Sequence, residues 1–395
     1  MVHVQPFSVE QWFFEHETSA IYNIAETCAA SLSIADLSAL STERTKDPLS
    51  FSRKLTYGDI RGSEELRSNV ARLYSTKATE GLPLDSMLIT NGAISANYLV
   101  FYSLVGSGDH VICVYPTYQQ LYSVPESLGA EVSLWKLRED NHFVPAISDL
   151  EKLVRPNTKL IVINNPNNPT GATSSRSILE GIVSVAQEQD IIILSDEVYR
   201  PLFHSLPVSD PETPPSILSL GYPKTIATGS LSKAFSLAGI RVGWIASRDP
   251  QIIDVCANAR DYTTISVSQV DDQIASYALS EAVVPNLLAR NIKLAQTNVA
   301  LLDRFIHDFK NICSWTRPTA GTTAFVKFSK NGEPVDDEAF CTGVQEETGV
   351  FICPGGKCFG DGKDFKGYVR LGYVCETEVL REGLEKLGRY LREAF

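Results

Sequence analysis

Short, almost unbroken apolar runs recur along the chain, separated by longer stretches in which apolar residues return every three or four positions. The short runs are Ser86-Met-Leu-Ile-Thr90 and residues 110–115, 158–163, 190–195 and 224–228, each the length of a strand. Strands that are apolar on both faces are those of a parallel sheet covered by helices on either side, whereas half-exposed antiparallel strands alternate. Residues 94–105 and 174–189 carry helical spacing between the runs, so the pattern predicts an α/β fold. The proline-rich segment 207–215 reads as a surface loop. Toward the C-terminus the character changes. Long helical patterns at 282–309 and 376–395 flank short strands at 323–328 and 368–373, which predicts a second, smaller α+β part.

Composition narrows the class. The 395 residues are 44% hydrophobic and 21% charged, an ordinary globular balance for a chain of one or two domains. A net charge of -12 argues against nucleic acid or an anionic membrane surface as partner. The first ten residues show no basic stretch leading into an apolar one, and no later run approaches a membrane span, so a cytoplasmic protein is expected. Eight cysteines scattered from Cys28 to Cys375 read as reduced thiols. Cys353 and Cys358 have no second pair and the histidines no metal spacing, so no metal is expected and these two thiols read as a loop pair. The glycine-rich stretch 355–364 lacks the glycine and hydroxyl of a nucleotide-binding P-loop, and no G-x-G-x-x-G opens a helix after a strand.

The chemistry collects at the ends of the strands, where ligands of open α/β sheets bind. Lys233 follows Ser230-Leu-Ser232, with Arg241 eight positions on. A lysine there suits a Schiff base with a carbonyl cofactor, its pKa lowered by partial burial and a nearby cation, while Ser230 and Arg241 hold a phosphate beside it. Read alone, it suits a solvated helix start equally well. Asp196 can hold a proton on a ring nitrogen and make a pyridine an electron sink, with Tyr199 one helical turn on; a helix N-cap is the other reading. Asn168 lies in Asn164-Asn-Pro-Asn-Asn-Pro-Thr-Gly171, which also reads as a plain turn. Thr90-Asn-Gly-Ala-Ile94 ends a strand and opens a helix whose free N–H groups suit a phosphate. Tyr118 suits ring stacking or the core. Together these clusters point to a phosphorylated pyridine aldehyde.

Tyr57-Gly58-Asp59, Thr90-Asn-Gly-Ala93, Asn165-Pro-Asn-Asn-Pro-Thr-Gly171, Asp196-Glu-Val-Tyr199, Ser230-Leu-Ser-Lys233 with Arg241, and Arg370 resemble, in order and spacing, the class I/II aminotransferase family of fold type I. The resemblance implies a large domain, residues 49–289, with a mostly parallel seven-stranded sheet sandwiched by helices. It also implies a small domain from residues 1–48 and 290–395. The implied cofactor is pyridoxal 5'-phosphate, on Lys233 as Schiff base and proton carrier. Asp196 then pairs with the ring nitrogen, and Tyr199 and Asn168 hold the phenolic oxygen. Ser230, Arg241 and the Gly92-Ala93-Ile94 turn form the phosphate cup, Tyr118 stacks on the ring, and Tyr57 reaches the phosphate of the neighbouring subunit of a homodimer. Residues 262–266 are expected to face the partner's site as well. Arg370 grips the substrate α-carboxylate, with Asn168 and Ala29 beside the substrate.

The implied activity is transfer of an amino group from an L-amino acid to a 2-oxo acid. Tyr22-Asn-Ile-Ala-Glu26-Thr-Cys28-Ala-Ala30 takes the place of the strand that covers the substrate, and Glu26 and Cys28 depart from the glycine-containing loop of broad-specificity members. This start resembles the capreomycidine-synthase-like branch, which implies the alternative of a lyase or cyclase working by elimination and addition. A non-catalytic regulator would carry a basic winged-helix segment before the fold. No second arginine is placed for a side-chain carboxylate, so an acidic substrate is disfavoured.

Overall fold

The computed structural model describes residues 4–43, 47–75, 81–207 and 209–395. The chain opens on helix α1, Ser8–His16, which buries Val9 and Trp12. The Trp12 indole N–H donates to the Ile352 carbonyl at 3.0 Å, fixing the helix to a distant part of the chain. After it, Tyr22–Asn23 pairs in parallel with Val350–Phe351.

A sheet of seven strands follows: β1 (Met87–Thr90), β2 (His110–Tyr115), β3 (Glu131–Lys136), β4 (Thr158–Asn164), β5 (Ile192–Asp196), β6 (Thr225–Ser230) and β7 (Gly243–Ser247). Their order is β1-β7-β6-β5-β4-β2-β3. Only β7 runs against its neighbours, so the sheet is mostly parallel as expected. Alternate residues feed two separate cores. Ile112, Ile161, Ile163, Ile193 and Ala227 pack on one face, and Val111, Cys113, Leu160, Val162, Leu194 and Ile226 on the other. Helix α2, Gly92–Leu104, follows β1 and buries Ala96, Leu99, Val100 and Phe101. On the opposite face lies Arg176–Glu188, whose start is capped by the Ser175 side chain accepting from the Ile178 N–H.

Several strand edges differ from the pattern. The run at 190–195 begins two residues late, because Asp190 takes a left-handed turn (φ 57°) and the Ile191 N–H bonds the end of the preceding helix at Ala186. Asp196 lies in β5 and not after it, paired with Asn164 on one side and Thr228 on the other. β3 and β7 carry no long apolar run: β3 is an edge strand with an exposed start, and β7 is five residues beginning at a glycine.

C-terminal to this sheet, helix α3 (Val284–Asp308) leads to a smaller antiparallel sheet in which Thr323–Lys330 pairs with Cys313–Trp315, Glu333–Pro334 and Tyr368–Gly372. Cys353–Pro354 adds to its edge beside Tyr368–Gly372. Helix α4, Thr377–Ala394, closes the chain on an apolar stripe of Leu380, Leu384, Leu387 and Leu391. Cys353 and Cys358 are not a loop pair: one is in that strand, the other in the short helix Gly355–Phe359, and both are buried. All eight cysteines are free thiols. Half of the described residues of 207–215 are exposed and Pro214 is buried, in a segment of turns and bends; position 208 lies outside the described residues. No described helix is long and apolar enough to cross a membrane, and no described cluster of side chains has the make-up of a metal site.

Candidate active site

A cavity of about 440 Å³ opens where β4, β5 and β6 end, with α1 and residues 26–28 on its other side. Lys233 projects into it from the bends after β6, so the helix-start reading of this lysine fails. Its carbonyl accepts the Ala29 N–H at 3.1 Å. Its ammonium donates to Thr27 Oγ1 at 2.5 Å and Cys28 Sγ at 3.5 Å and lies 3.7 Å from Glu26 Oε1. The expected lowering of its pKa is not found. Burial pulls the Lys233 pKa down, but Cys28, Glu26 and Tyr199 around it outweigh that and hold it up. Burial also pushes the Glu26 carboxyl up, yet the Lys233 ammonium and the N–H groups of Thr27 and Cys28 bring it down to about 2.

Asp196 is fixed on both oxygens. Oδ2 accepts from Asn97 Nδ2 at 2.9 Å and Oδ1 from the Val198 N–H at 3.1 Å. Turns and no helix follow it, which removes the N-cap reading. Burial raises its pKa, opposed by the Asn97 and Val198 bonds and by Lys233. A buried carboxyl pushed upward is one that a nearby cationic N–H would satisfy. Tyr199 is buried and lines the cavity with Thr27 and Lys233.

Arg370, in Tyr368–Gly372, is 2% exposed. It donates to Ala25 O at 3.0 Å and Asn168 Oδ1 at 3.4 Å, and its guanidinium lies over the Phe359 and Phe13 rings at 5.3 and 5.6 Å. Its buried Nε has no hydrogen-bond partner within the chain. Asn168 is held by its own N–H on Asn164 Oδ1 at 2.7 Å.

At the other end of the cavity lie Ala93, Ile94, Ser230, Ser232 and Arg241. Ser230 Oγ meets Ser232 Oγ at 2.8 Å, and Arg241 Nη1 reaches Ala238 O at 3.0 Å and Ser232 Oγ at 3.4 Å. The start of α2 points here, and Asn91 before it gives no side-chain cap. Gly92 takes φ 78° and carries no side chain; a Cβ there would stand 2.9 Å from Arg241 Nη2. Gly92 therefore underlies the arginine and does not face the cavity.

Of the other expected residues, Tyr118 lines the cavity, its hydroxyl donating to Glu10 Oε1 at 2.9 Å and its ring tilted against Phe7 at 4.8 Å. Tyr57 is 81% exposed and apart from the cavity of its own chain. Ala29 is fully buried behind Lys233 and touches the site through its backbone alone. Lining residues given no role from the sequence include Val9, Glu10, Phe13, Thr27, Asn97, Gln120 and Ser232. A signal existed for Asn97, a polar residue on the apolar face of a helix, and for Ser232, one residue from the lysine. None existed for Glu10 and Phe13.

Residues 37–387 match the family model described as aminotransferase class I and II. Capreomycidine synthase of Streptomyces vinaceus is 28% identical over 394 residues, covering 97% of this chain and 94% of that protein. Aspartate aminotransferase of Thermotoga maritima is 28% identical over 339 residues, 86% and 84% of the two chains. Among solved structures, a PLP-dependent aminotransferase from Streptococcus suis superposes with a TM-score of 0.90 at 44% identity, over 99% of this chain and 98% of that one. The PLP-dependent cyclase OrfR superposes with a TM-score of 0.86 at 25% identity, over 100% and 98%. The family match spans both sheets and every motif from Tyr57 to Arg370, and the chain is an enzyme of the class I and II aminotransferase family.

Proposed function

We propose that this enzyme binds pyridoxal 5'-phosphate and transfers the α-amino group of an L-amino acid to a 2-oxo acid. The observation that carries this reading is the convergence of Lys233, Asp196 and Arg370 on one cavity. The residues present fit the cofactor. Asp196 is a buried carboxyl whose pKa is pushed up by burial, which suits a protonated ring nitrogen beside it. Ser230, Ser232, Arg241 and the uncapped start of α2 form an anion cradle of phosphate chemistry. Tyr199 and Asn168 lie between the two ends, where they would hold the phenolic oxygen.

Bound there, the cofactor supplies an aldehyde for amines and an electron-withdrawing ring. Arg370 grips the substrate α-carboxylate in a fork, using the buried Nε that has no partner within the chain. Lys233, once its amine is released, takes the proton from the substrate α-carbon and hands it on. Thr27 and Glu26 receive its ammonium form. Asp196 keeps a proton on the ring nitrogen, and Val9 and Phe13 on α1 exclude water from above. Tyr57 serves the partner's phosphate in a homodimer.

A second reading, elimination followed by addition or cyclisation, is favoured by one observation. Glu26, Thr27 and Cys28 crowd Lys233, and they lie in a segment over which the similarity to capreomycidine synthase extends. Incubation with an amino-acid panel separates the two. A stable shift of the cofactor absorbance to its amine form with release of a 2-oxo acid is expected for transamination; product formed with the starting spectrum retained means elimination or cyclisation. Borohydride should fix a pyridoxyl group to Lys233, and an unchanged fixation in Lys233→Ala refutes the role of this lysine.

A further inference from the structure

Two carboxylates in the cavity have no part in holding the cofactor or the α-carboxylate. Glu10 comes from α1 and Glu26 from the segment after Tyr22–Asn23, and both line the cavity with Arg370. The other charged groups each have a charge to meet: Arg241 the phosphate, Asp196 the ring nitrogen, Arg370 the α-carboxylate. Glu26 has Lys233 as its ion-pair partner at 3.7 Å, on Oε1. Its other bonds, from the N–H groups of Thr27 at 2.5 Å and Cys28 at 3.0 Å and from the Thr27 hydroxyl at 3.4 Å, fall on Oε1 as well. Glu10 receives the Tyr118 hydroxyl on Oε1. An ionised carboxylate offers about four acceptor sites, so both have capacity left for a donor. Val9 and Phe13, one before and three after Glu10, present apolar surface to the same cavity. All these residues precede position 37, where the family match begins, so they lie outside the cofactor-holding part shared across the family.

We infer that the substrate carries a cationic side chain, an amine or a guanidinium, with its apolar stem along Val9 and Phe13 and its charge between Glu10 and Glu26. This rests on the aminotransferase-type reading of the site given above. An acidic side chain would meet two carboxylates. A neutral one would leave the remaining acceptor sites of Glu10 and Glu26 without a donor.

The test uses the cofactor-loaded enzyme and amino acids that lack an α-proton, which bind without turnover. α-Methyl-L-lysine is compared with its neutral isostere α-methyl-L-norleucine and with α-methyl-L-glutamate, by calorimetry and by the cofactor absorbance. The lysine analogue is expected to bind about 10- to 100-fold more tightly than the norleucine analogue, the range of one charge-assisted hydrogen-bonded pair. Glu10→Gln, on the exposed side of α1, is expected to cut that ratio about fivefold, in keeping with a partly solvated pair; Glu26→Gln should cut it further, and Glu10→Lys should bring it to one or below. Norleucine or glutamate analogues that bind at least as well as the lysine analogue overturn this inference and leave the aminotransferase reading standing. Failure of every amino acid to perturb the cofactor overturns both.

Discussion

Asn97 shows how one side chain sets the state of another. Its carbonyl accepts the Thr228 hydroxyl at 2.7 Å, which fixes the amide so that its NH2 faces Asp196. That bond favours the carboxylate over the acid, against a burial that disfavours it. Asn97→Ala removes a hydrogen bond to a charged group, about 1.5–3 kcal/mol, and should slow α-proton exchange into solvent about 10- to 100-fold while pyridoxal phosphate remains bound. Unchanged deuterium washout would mean that Asp196 needs no such support. Glu26 gives a pH signature in protein stripped of cofactor. Its carboxyl is held at about 2 against an ordinary 4.5, so the stability it contributes is complete above pH 4.5 and is lost as pH falls toward 2. The full linkage is about 3 kcal/mol, which screening at a side chain 40% exposed reduces to about 1 kcal/mol. Urea melts between pH 5 and pH 2 should therefore fall less steeply for Glu26→Gln than for the parent; equal slopes would show that the carboxylate gains nothing from Lys233.

At the scale of elements, the phosphate end depends on how closely α2 crosses β7. Gly243 makes that approach possible: a Cβ there would stand 2.4 Å from Gly92 C and 2.6 Å from Ala93 N, both backbone atoms that cannot swing aside. Gly243→Ala should force α2 off the sheet, at about 1–3 kcal/mol of stability as for overpacked cores. It should also weaken pyridoxal phosphate binding at least tenfold, read by cofactor titration; an unaltered affinity would place the phosphate elsewhere. The strands that were legible in the sequence, β1, β2, β4, β5 and β6, are almost wholly buried, where an unbroken apolar run is the physical requirement. β3 and β7 escaped because an edge strand and a five-residue antiparallel strand need no such run. Lys233 and Asp196 were readable as candidates because strand ends place them, whereas Arg370, in the middle of Tyr368–Gly372, came from the family resemblance. Glu10 and Phe13 were not readable, since α1 reaches the site only through contacts such as Trp12 with Ile352, 340 positions away. A tertiary contact of that span leaves no local trace in the sequence.

The whole molecule carries an apolar surface that a single chain leaves uncovered. Phe51 is 96% exposed and Tyr262 90%, and Leu55, Tyr57 and Ile60 are exposed as well. Exposed apolar residues that gather in one patch mark a surface for another protein, and the homodimer expected from the family resemblance would use the same surface on both copies. Tyr57 belongs to that set and stands apart from the cavity of its own chain, so its expected phosphate contact requires the second subunit. The arrangement makes a prediction that a monomer cannot satisfy. Lys233→Ala and Tyr57→Ala homodimers should each be impaired, the first through loss of the Schiff-base amine and the second at limiting cofactor. Refolded together, the two variants should form hybrids in which one site combines an intact Lys233 with an intact Tyr57 from the other chain, while the second site carries both lesions. Random pairing puts about half of the chains into hybrids with one of two sites restored, so about a quarter of parental activity should return on mixing. Activity that stays at the mean of the two separate variants would show that each chain works with its own residues alone.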